Sequence, residues 1–209
     1  MSRWEVPFHF QVSSAQTDEM AAGLISSGVR FLLVGRENSF RLKEACSGHE
    51  LGLVVPWCDQ MRVLRHSSVG GFLTHNGLSS TLEAGFLGVL MLSFPRAVDQ
   101  FLNSKLVVED WKVGWRLRKE LGAGNELITS REAIAKTVHK FMDIKGSERR
   151  ELSERSKRFQ EIVKGATSSK GGSSDANLDA FIKDITQGHA NRQSMHYAYI
   201  WPFAFLFNY

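Results

Sequence analysis

Residues 71–94 read GFLTHNGLSSTLEAGFLGVLMLSF, and this stretch decides the fold. Its first four residues predict a strand that ends at the polar turn His75-Asn76-Gly77. A helix is predicted over residues 79–86 and ends at Gly88, and the apolar run at residues 89–94 predicts a second strand. A strand, a short helix and another strand in this order are typical of a βαβ unit with parallel strands.

The same alternation continues on the N-terminal side. A capping box at residues 13–16, in which a Ser is followed three residues later by a Gln, predicts a helix that ends at Gly28. Apolar runs at residues 29–34 and 52–55 predict two more strands, and the polar residues 37–50 between them predict a loop with one helical turn at most. The first ten residues show no clear period.

The C-terminal side begins in the same way and then changes. The pattern predicts helices at residues 58–64 and 99–107 and a short strand at residues 112–117, and beyond residue 120 it predicts helices only. The first of these helices begins with a capping box at Thr129-Ser130-Arg131-Glu132 and carries Ile134, Val138 and Phe141 on one face. A charged helix follows over residues 148–164, and a flexible linker at residues 167–174 leads to an amphipathic helix over residues 177–185.

Composition excludes several classes of protein. With 209 residues, 43% hydrophobic and 23% charged, the chain is globular rather than disordered or collagen-like. The net charge of +4 is too small to indicate nucleic-acid binding. Cys46 and Cys58 cannot form a disulfide framework and have no metal-ligand spacing with His, so we predict no metal site.

Nothing in the sequence indicates export or membrane insertion. The start lacks the apolar core of a signal peptide, and no uncharged stretch reaches the roughly 20 residues that span a bilayer. The uncharged, aromatic-rich run at residues 195–209 is too short for this. We therefore expect a soluble, cytoplasmic protein without stable membrane insertion.

Residues 57–100 carry side chains that suit a nucleotide. A base can stack on Trp57, Glu83 can accept hydrogen bonds from ribose hydroxyls, and the helix opened by Ser79 and Ser80 can bind phosphate at its N-terminus. Asp99 and Gln100 follow the strand at 89–94, where ligands bind in open α/β sheets. Each residue also has a structural alternative: a half-buried core aromatic for Trp57, a structural histidine for His75, a solvated carboxylate for Glu83 and a helix cap for Asp99.

Taken together, residues 57–100 resemble the signature box of plant family-1 UDP-glycosyltransferases, known as the plant secondary product glycosyltransferase box. Supporting segments at residues 13–16, 28–31, 103–105, 111–114 and 171–174 extend the resemblance to roughly residues 11–189. The family has the GT-B fold, in which two Rossmann-like lobes face each other across a cleft. The chain resembles only the C-terminal, sugar-donor lobe, so we expect an α/β lobe with a parallel sheet flanked by helices and a helical C-terminal part. Residues 1–10 do not match the family, and the aromatic tail at 190–209 is expected to lie outside the fold.

The resemblance also implies roles for single residues. Trp57 would stack on uracil while the Cys58 backbone bonds its edge, and Gln60 and Glu83 would hold the ribose hydroxyls. His75 and Ser80, with backbone N–H groups at Gly77, Leu78 and Ser79, would bind the diphosphate, and Asp99 and Gln100 would hold hydroxyls of the transferred sugar. The UDP-sugar is a co-substrate, no cofactor is expected, and the terminal Gln points to UDP-glucose.

Four residues depart from the family pattern. Leu78 stands where Trp is usual, Ser79 replaces an Asn, Asn76 replaces a Cys and Leu90 replaces a Pro. Removing a polar group that binds phosphate costs about 1–3 kcal/mol, or roughly ten- to a hundredfold in affinity.

The resemblance places catalysis outside this chain. Family members use a His near the start of the N-terminal lobe, oriented by an Asp, to deprotonate the acceptor hydroxyl, which then attacks the anomeric carbon with inversion. Two hypotheses follow. The chain is the donor half of an enzyme that glycosylates small plant metabolites such as flavonoids, or it is a non-catalytic fragment that at most binds a UDP-sugar. A third, weaker idea is pairing with a separate acceptor lobe in trans.

Overall fold

The computed structural model describes residues 13–35, 39–117, 120–121, 127–169 and 171–187. The chain divides into two units, Met1–Lys164 and Gly165–Tyr209. The segments predicted as an atypical start, residues 1–10, and as an aromatic tail, residues 190–209, lie outside the described residues.

Five short strands of the first unit pair in parallel. β1 (Phe31–Val34) pairs with β2 (Gly52–Val55), and β3 (Phe72–Thr74), β4 (Met91–Ser93) and β5 (Gly114–Arg116) form a second sheet in the order β3-β4-β5. Each strand lies within a segment that the sequence predicts as a strand, so the predicted α/β class with parallel pairing is confirmed. The described strands form two parallel sheets rather than the single sheet that was expected.

Helices connect and follow these strands. In chain order the described residues form α1 (Ser14–Ser26), α2 (Ser39–Ala45), α3 (Gln60–Leu64), α4 (Leu78–Leu87), α5 (Asp99–Lys105), α6 (Arg131–Met142), α7 (Ser147–Ala166) and α8 (Ser173–Gln187). A π-helical turn, Leu106–Asp110, follows α5. Gly88 ends α4, as predicted, and adopts the left-handed conformation that is common at helix ends, with φ 68°.

The main core lies where α1 and α6 contact each other and β4. The three residues predicted to share a face of α6 are all buried: Ile134, Val138 and Phe141 are 0%, 6% and 2% exposed. Burial of such a side chain stabilises the fold by about 1.5–3 kcal/mol. A second cluster packs Met91 and Val107 against Ala84 of α4, the helix that carries part of the site described below.

Two capping predictions need correction. Ser13 does cap α1, since its Oγ accepts a hydrogen bond from the Gln16 backbone N–H at 3.2 Å. The Gln16 side chain does not complete the box, because it bonds both backbone groups of Thr129 instead. The predicted capping box at Thr129 is wrong by one residue, because it is the Ser130 Oγ that accepts from the Ala133 N–H.

Three element predictions were also wrong. Residues 37–50 contain α2 rather than a loop, because Leu42 and Cys46 supply one buried face that a mostly polar run conceals. Beyond residue 120 a two-stranded antiparallel hairpin, Glu120–Leu121 with Leu127–Ile128, precedes the helices. The predicted linker at 167–174 is cut short by α8, which begins at Ser173 and extends beyond the predicted 177–185.

No helix in the part of the chain that the structure describes combines the length and the apolar character needed to cross a bilayer.

Candidate functional site

A groove of about 610 Å³ runs between the two parallel sheets. Its apolar walls include residues 31–34 of β1 and 72–74 of β3, and its polar lining includes Cys58, Gln60, His75 and Ser80. The fold therefore brings four of the predicted site residues to one concave surface.

The residues predicted to hold ribose contact each other directly. Asp59 caps α3 by accepting a hydrogen bond from the Arg62 N–H at 3.0 Å, which fixes the start of the helix that carries Gln60. The Gln60 amide then donates to Glu83 Oε2 at 2.7 Å and lies 3.1 Å from Ser80 Oγ, both on α4. Side chains separated by 20 and 23 residues in sequence thus form one polar cluster.

The turn His75-Asn76-Gly77 connects β3 to α4 and is held rigidly. Asn76 is fully buried with φ 62°, a left-handed conformation that Asn tolerates better than most residues. Its backbone N–H donates to Thr74 Oγ1 at 3.0 Å, and its side-chain oxygen accepts a hydrogen bond from Ser93. The residue that replaces the family's usual Cys is therefore suited to the conformation of this turn.

The N-terminus of α4 suits an anion. Gly77 is its N-cap residue and provides no side-chain hydrogen bond to the first turn. The free N–H groups at a helix start carry partial positive charge and bind phosphate. A side chain at position 77 would meet His75, because a Cβ there would lie 2.7 Å from Nε2 of the ring.

His75 is held closer to neutral than an ordinary histidine. Burial by its surroundings lowers its pKa, the cation of Arg96 lowers it further, and Asp99 has the opposite effect. His75, Arg96 and Asp99 are thus close enough to interact electrostatically.

The residues predicted to hold the sugar open α5. Gln100 Oε1 accepts hydrogen bonds from the backbone N–H groups of Arg96 and Ala97 at 2.9 and 3.2 Å, so this oxygen shapes the loop before the helix. Asp99 Oδ2 accepts from the Asn103 amide at 3.1 Å. Asp99 is otherwise exposed and lies beyond the carboxyl end of β4, as predicted.

Three predicted residues are exposed at the surface. Trp57 is 67% exposed, which contradicts the alternative of a half-buried core aromatic and leaves a ring face available. Leu78 and Ser79 are exposed on the first turn of α4. Their backbone N–H groups lie at the start of α4, which by its geometry can bind an anion.

Sequence reasoning missed two residues of this site. Asn103 bonds both Asp99 and the backbone of Asn76, and Arg96 places a half-buried cation near His75. In the sequence Asn103 is only part of a supporting segment, and no spacing rule pairs it with a residue 27 positions earlier. Among the described residues, no three His, Cys, Asp or Glu side chains are grouped so that they could hold a metal ion.

Comparison with known proteins identifies the family. Residues 11–139, more than half of the chain, match the family model for UDP-glucoronosyl and UDP-glucosyl transferases. The chain belongs to this family of UDP-glycosyltransferases. The resemblance noted at residues 57–100 is thereby confirmed.

Curated relatives of this UDP-glycosyltransferase chain are plant enzymes. UDP-glycosyltransferase 87A2 of Arabidopsis thaliana is 50% identical over 175 residues, which are 84% of this chain and 38% of that protein. The anthocyanidin 3-O-glucoside 5-O-glucosyltransferase of Gentiana triflora is 40% identical over 188 residues, 86% of this chain and 36% of that protein. The chain therefore spans less than two fifths of the length of these two relatives.

Solved structures of plant glycosyltransferases share the fold. Os79 from O. sativa, crystallised with UDP and deoxynivalenol-3-glucoside, is 34% identical with a TM-score of 0.70, over 82% of this chain and 39% of that one. Phytolacca americana UGT2, complexed with UDP-2fluoro-glucose and pterostilbene, is 31% identical with the same TM-score and coverage. The expected likeness to one part of a GT-B enzyme is confirmed.

Proposed function

We propose that this chain is the donor-binding half of a glycosyltransferase and that its donor is UDP-glucose. The observation that carries the proposal is the cluster of Gln60, Ser80 and Glu83 beside the N-terminus of α4. A carboxylate that can accept hydroxyl hydrogen bonds stands next to a helix start that can bind phosphate, which is the arrangement that a ribose diphosphate needs.

The donor is proposed to lie along this surface from base to sugar. Uracil stacks on the exposed ring of Trp57, next to the Cys58 backbone, and the ribose hydroxyls bond the Gln60 and Glu83 side chains. The diphosphate binds His75, Ser80 and the N–H groups of residues 77–79. The sugar hydroxyls then bond Asp99 and Gln100. For Gln100 the amide N–H groups serve this role, because its oxygen already accepts two backbone hydrogen bonds.

The proposed reaction transfers the sugar to a hydroxyl. The acceptor oxygen loses its proton to a base, forms the new bond to the anomeric carbon with inversion, and the bond from that carbon to the UDP oxygen breaks. The base and the acceptor pocket are expected on the part of complete relatives that this chain does not cover. Names of relatives and neighbours, which include an anthocyanidin glucoside, pterostilbene and deoxynivalenol-3-glucoside, support a hydroxyl of a small organic molecule as the acceptor.

Calorimetric titration with UDP-glucose tests donor binding. Glu83→Gln removes the charge that strengthens ribose hydrogen bonds, which are worth about 1.5–3 kcal/mol, so the affinity should fall roughly ten- to a hundredfold. Glu154→Gln makes the same chemical change at an exposed position on α7 and should bind as the wild type does. No saturable binding of UDP or UDP-glucose to the wild type at millimolar concentration would refute the proposal.

The second candidate function is donor binding without turnover. It is supported by the roles proposed for the site residues, which all belong to donor binding, and by the expectation that the base lies on the part of complete relatives that this chain does not cover. An assay with UDP-glucose and a panel of phenols separates the two candidates. Formation of a glucoside by this chain alone would exclude the second candidate, and binding without product would support it.

A further inference from the structure

Asn103 lies between the proposed diphosphate turn and the proposed sugar-binding carboxylate. It belongs to the second turn of α5 and is 6% exposed. Its side-chain nitrogen donates to the backbone oxygen of Asn76 at 2.9 Å and to Asp99 Oδ2 at 3.1 Å. An amide nitrogen carries two hydrogens, so these two bonds use its full donor capacity. One bond reaches the proposed diphosphate turn and the other reaches the proposed sugar carboxylate.

The bond to Asn76 orients a phosphate donor. The peptide unit between Asn76 and Gly77 is planar and trans, so its C=O and its N–H point in opposite directions. By holding the Asn76 oxygen toward α5, Asn103 turns the Gly77 N–H away from α5. This N–H is one of the groups proposed to bind the diphosphate, and its direction is fixed by a side chain that does not reach the ligand.

In the same way, the bond to Asp99 orients the carboxylate that is proposed to accept a hydrogen bond from the sugar. Asp99 is exposed, and its first-turn position on α5 leaves its carboxylate several rotamers. The Asn103 amide is one turn further along the helix and selects the rotamer in which Oδ2 faces inward. The second carboxylate oxygen is then left for a sugar hydroxyl.

We propose, on the basis of the proposed function, that Asn103 is a positioning residue that couples the diphosphate turn to the sugar-binding carboxylate. A single buried amide sets the spacing between the two, so the site is matched to a diphosphate that carries a sugar rather than to UDP alone. Asn103 acts through Asn76 and Asp99 and does not touch the donor.

The test compares two ligands rather than one. Asn103→Ala removes both anchoring bonds, so affinity for UDP should fall about threefold to tenfold and affinity for UDP-glucose about thirtyfold or more, because Asp99 is then no longer oriented toward the sugar. Asn177→Ala, the same change at an exposed position on α8, should leave both affinities unchanged. Asn103→Ser, which retains one donor, should lie between the wild type and Asn103→Ala, and it serves as the test variant if Asn103→Ala does not fold.

A double-mutant cycle with Asp99 distinguishes positioning from support of the fold. In an Asp99→Ala background the additional loss for UDP-glucose should vanish, while the loss for UDP persists. The inference is overturned if UDP and UDP-glucose weaken by the same factor in both backgrounds, or if neither weakens. If the wild type binds neither ligand, the proposed function fails instead, so the two failures are distinguishable.

Discussion

Replacing Gly77 by Ala should disable the diphosphate turn through a steric clash with His75. A Cβ at position 77 would lie 2.7 Å from His75 Nε2, and the next nearest atoms, at 3.5 and 3.6 Å, also belong to that ring. The His75 ring must move away by about 0.7 Å before its Nε2 and the added Cβ are 3.4 Å apart, which is an ordinary van der Waals contact. The whole range of N–H···O hydrogen-bond distances is only about 0.5 Å wide, so the shift removes the bond that His75 is proposed to make to phosphate.

The expected loss follows from that one bond. A hydrogen bond to a charged group is worth about 1.5–3 kcal/mol, and relaxation of the ring recovers part of it, so a net loss of about 1–2 kcal/mol lowers UDP-glucose affinity roughly fivefold to thirtyfold. The φ of Gly77 is −57°, which Ala adopts readily, so backbone strain contributes nothing. Calorimetric titration measures the change. Gly165→Ala, whose Cβ would have no neighbour within 4 Å, is the matched control and should bind normally.

The same substitution in a His75→Ala background isolates the cause. The three atoms nearest to the added methyl group all belong to the His75 ring, so once the ring is removed, adding Gly77→Ala should change affinity no further. Wild-type affinity in the single variant Gly77→Ala would refute the steric argument. A full additional loss in the double variant would show that position 77 acts on the ligand without His75.

Three other outcomes are expected. Because burial holds the pKa of His75 below its usual value of about 6.5 and a diphosphate favours the charged ring, UDP-glucose affinity should rise as pH falls from 7 to 5, and His75→Gln should abolish this dependence in calorimetric titrations. The folding stability of the ligand-free protein has the opposite pH dependence. The unfolded chain binds a proton at His75 more readily than the folded chain does, so the stability that His75 contributes falls as pH falls. Gln16→Ala leaves two buried backbone groups of Thr129 without partners and should cost about 2–4 kcal/mol in urea unfolding, whereas a loss below about 0.5 kcal/mol would contradict these two bonds. Since β1 and β3 each pair on one side only among the described strands, hydrogen exchange should find unprotected amides along their groove-facing edges, and strong protection there would mean that another segment covers the groove.

The sequence predicts the parallel elements well because their signal is local. Short, mostly apolar runs flanked by polar turns mark β1 to β4, and the face of α6 follows from a helical period. α2 was missed because its burial depends on Leu42 and Cys46 alone, too few to establish a period. The cap at Ser130 was misplaced by one residue because adjacent Thr and Ser are equally good candidates, and the choice depends on where Gln16 holds Thr129.

The site was predicted less completely than the fold, because its contacts join distant parts of the chain. The resemblance at residues 57–100 selected residues that the fold does gather, as the 2.7 Å bond between Gln60 and Glu83 shows. It did not select Asn103, whose partners are a backbone oxygen and a carboxylate on different elements. A hydrogen bond to a backbone oxygen leaves no pattern in a single sequence, so it becomes visible only in the folded structure.

On the proposed function, the donor half contributes to sugar transfer as well as to binding. In the proposed reaction, negative charge grows on the UDP oxygens as the bond to the anomeric carbon breaks, and the N–H groups at the start of α4 would face that charge. Charge that develops during the reaction is stabilised more strongly than charge already present in the donor, so these contacts lower the barrier and not only the dissociation constant. A hydrogen bond from His75 to the diphosphate would strengthen as that charge appears. On the proposed function, a variant such as Gly77→Ala should therefore lower the rate of sugar transfer, in a complete enzyme, by a larger factor than it lowers the affinity for UDP-glucose.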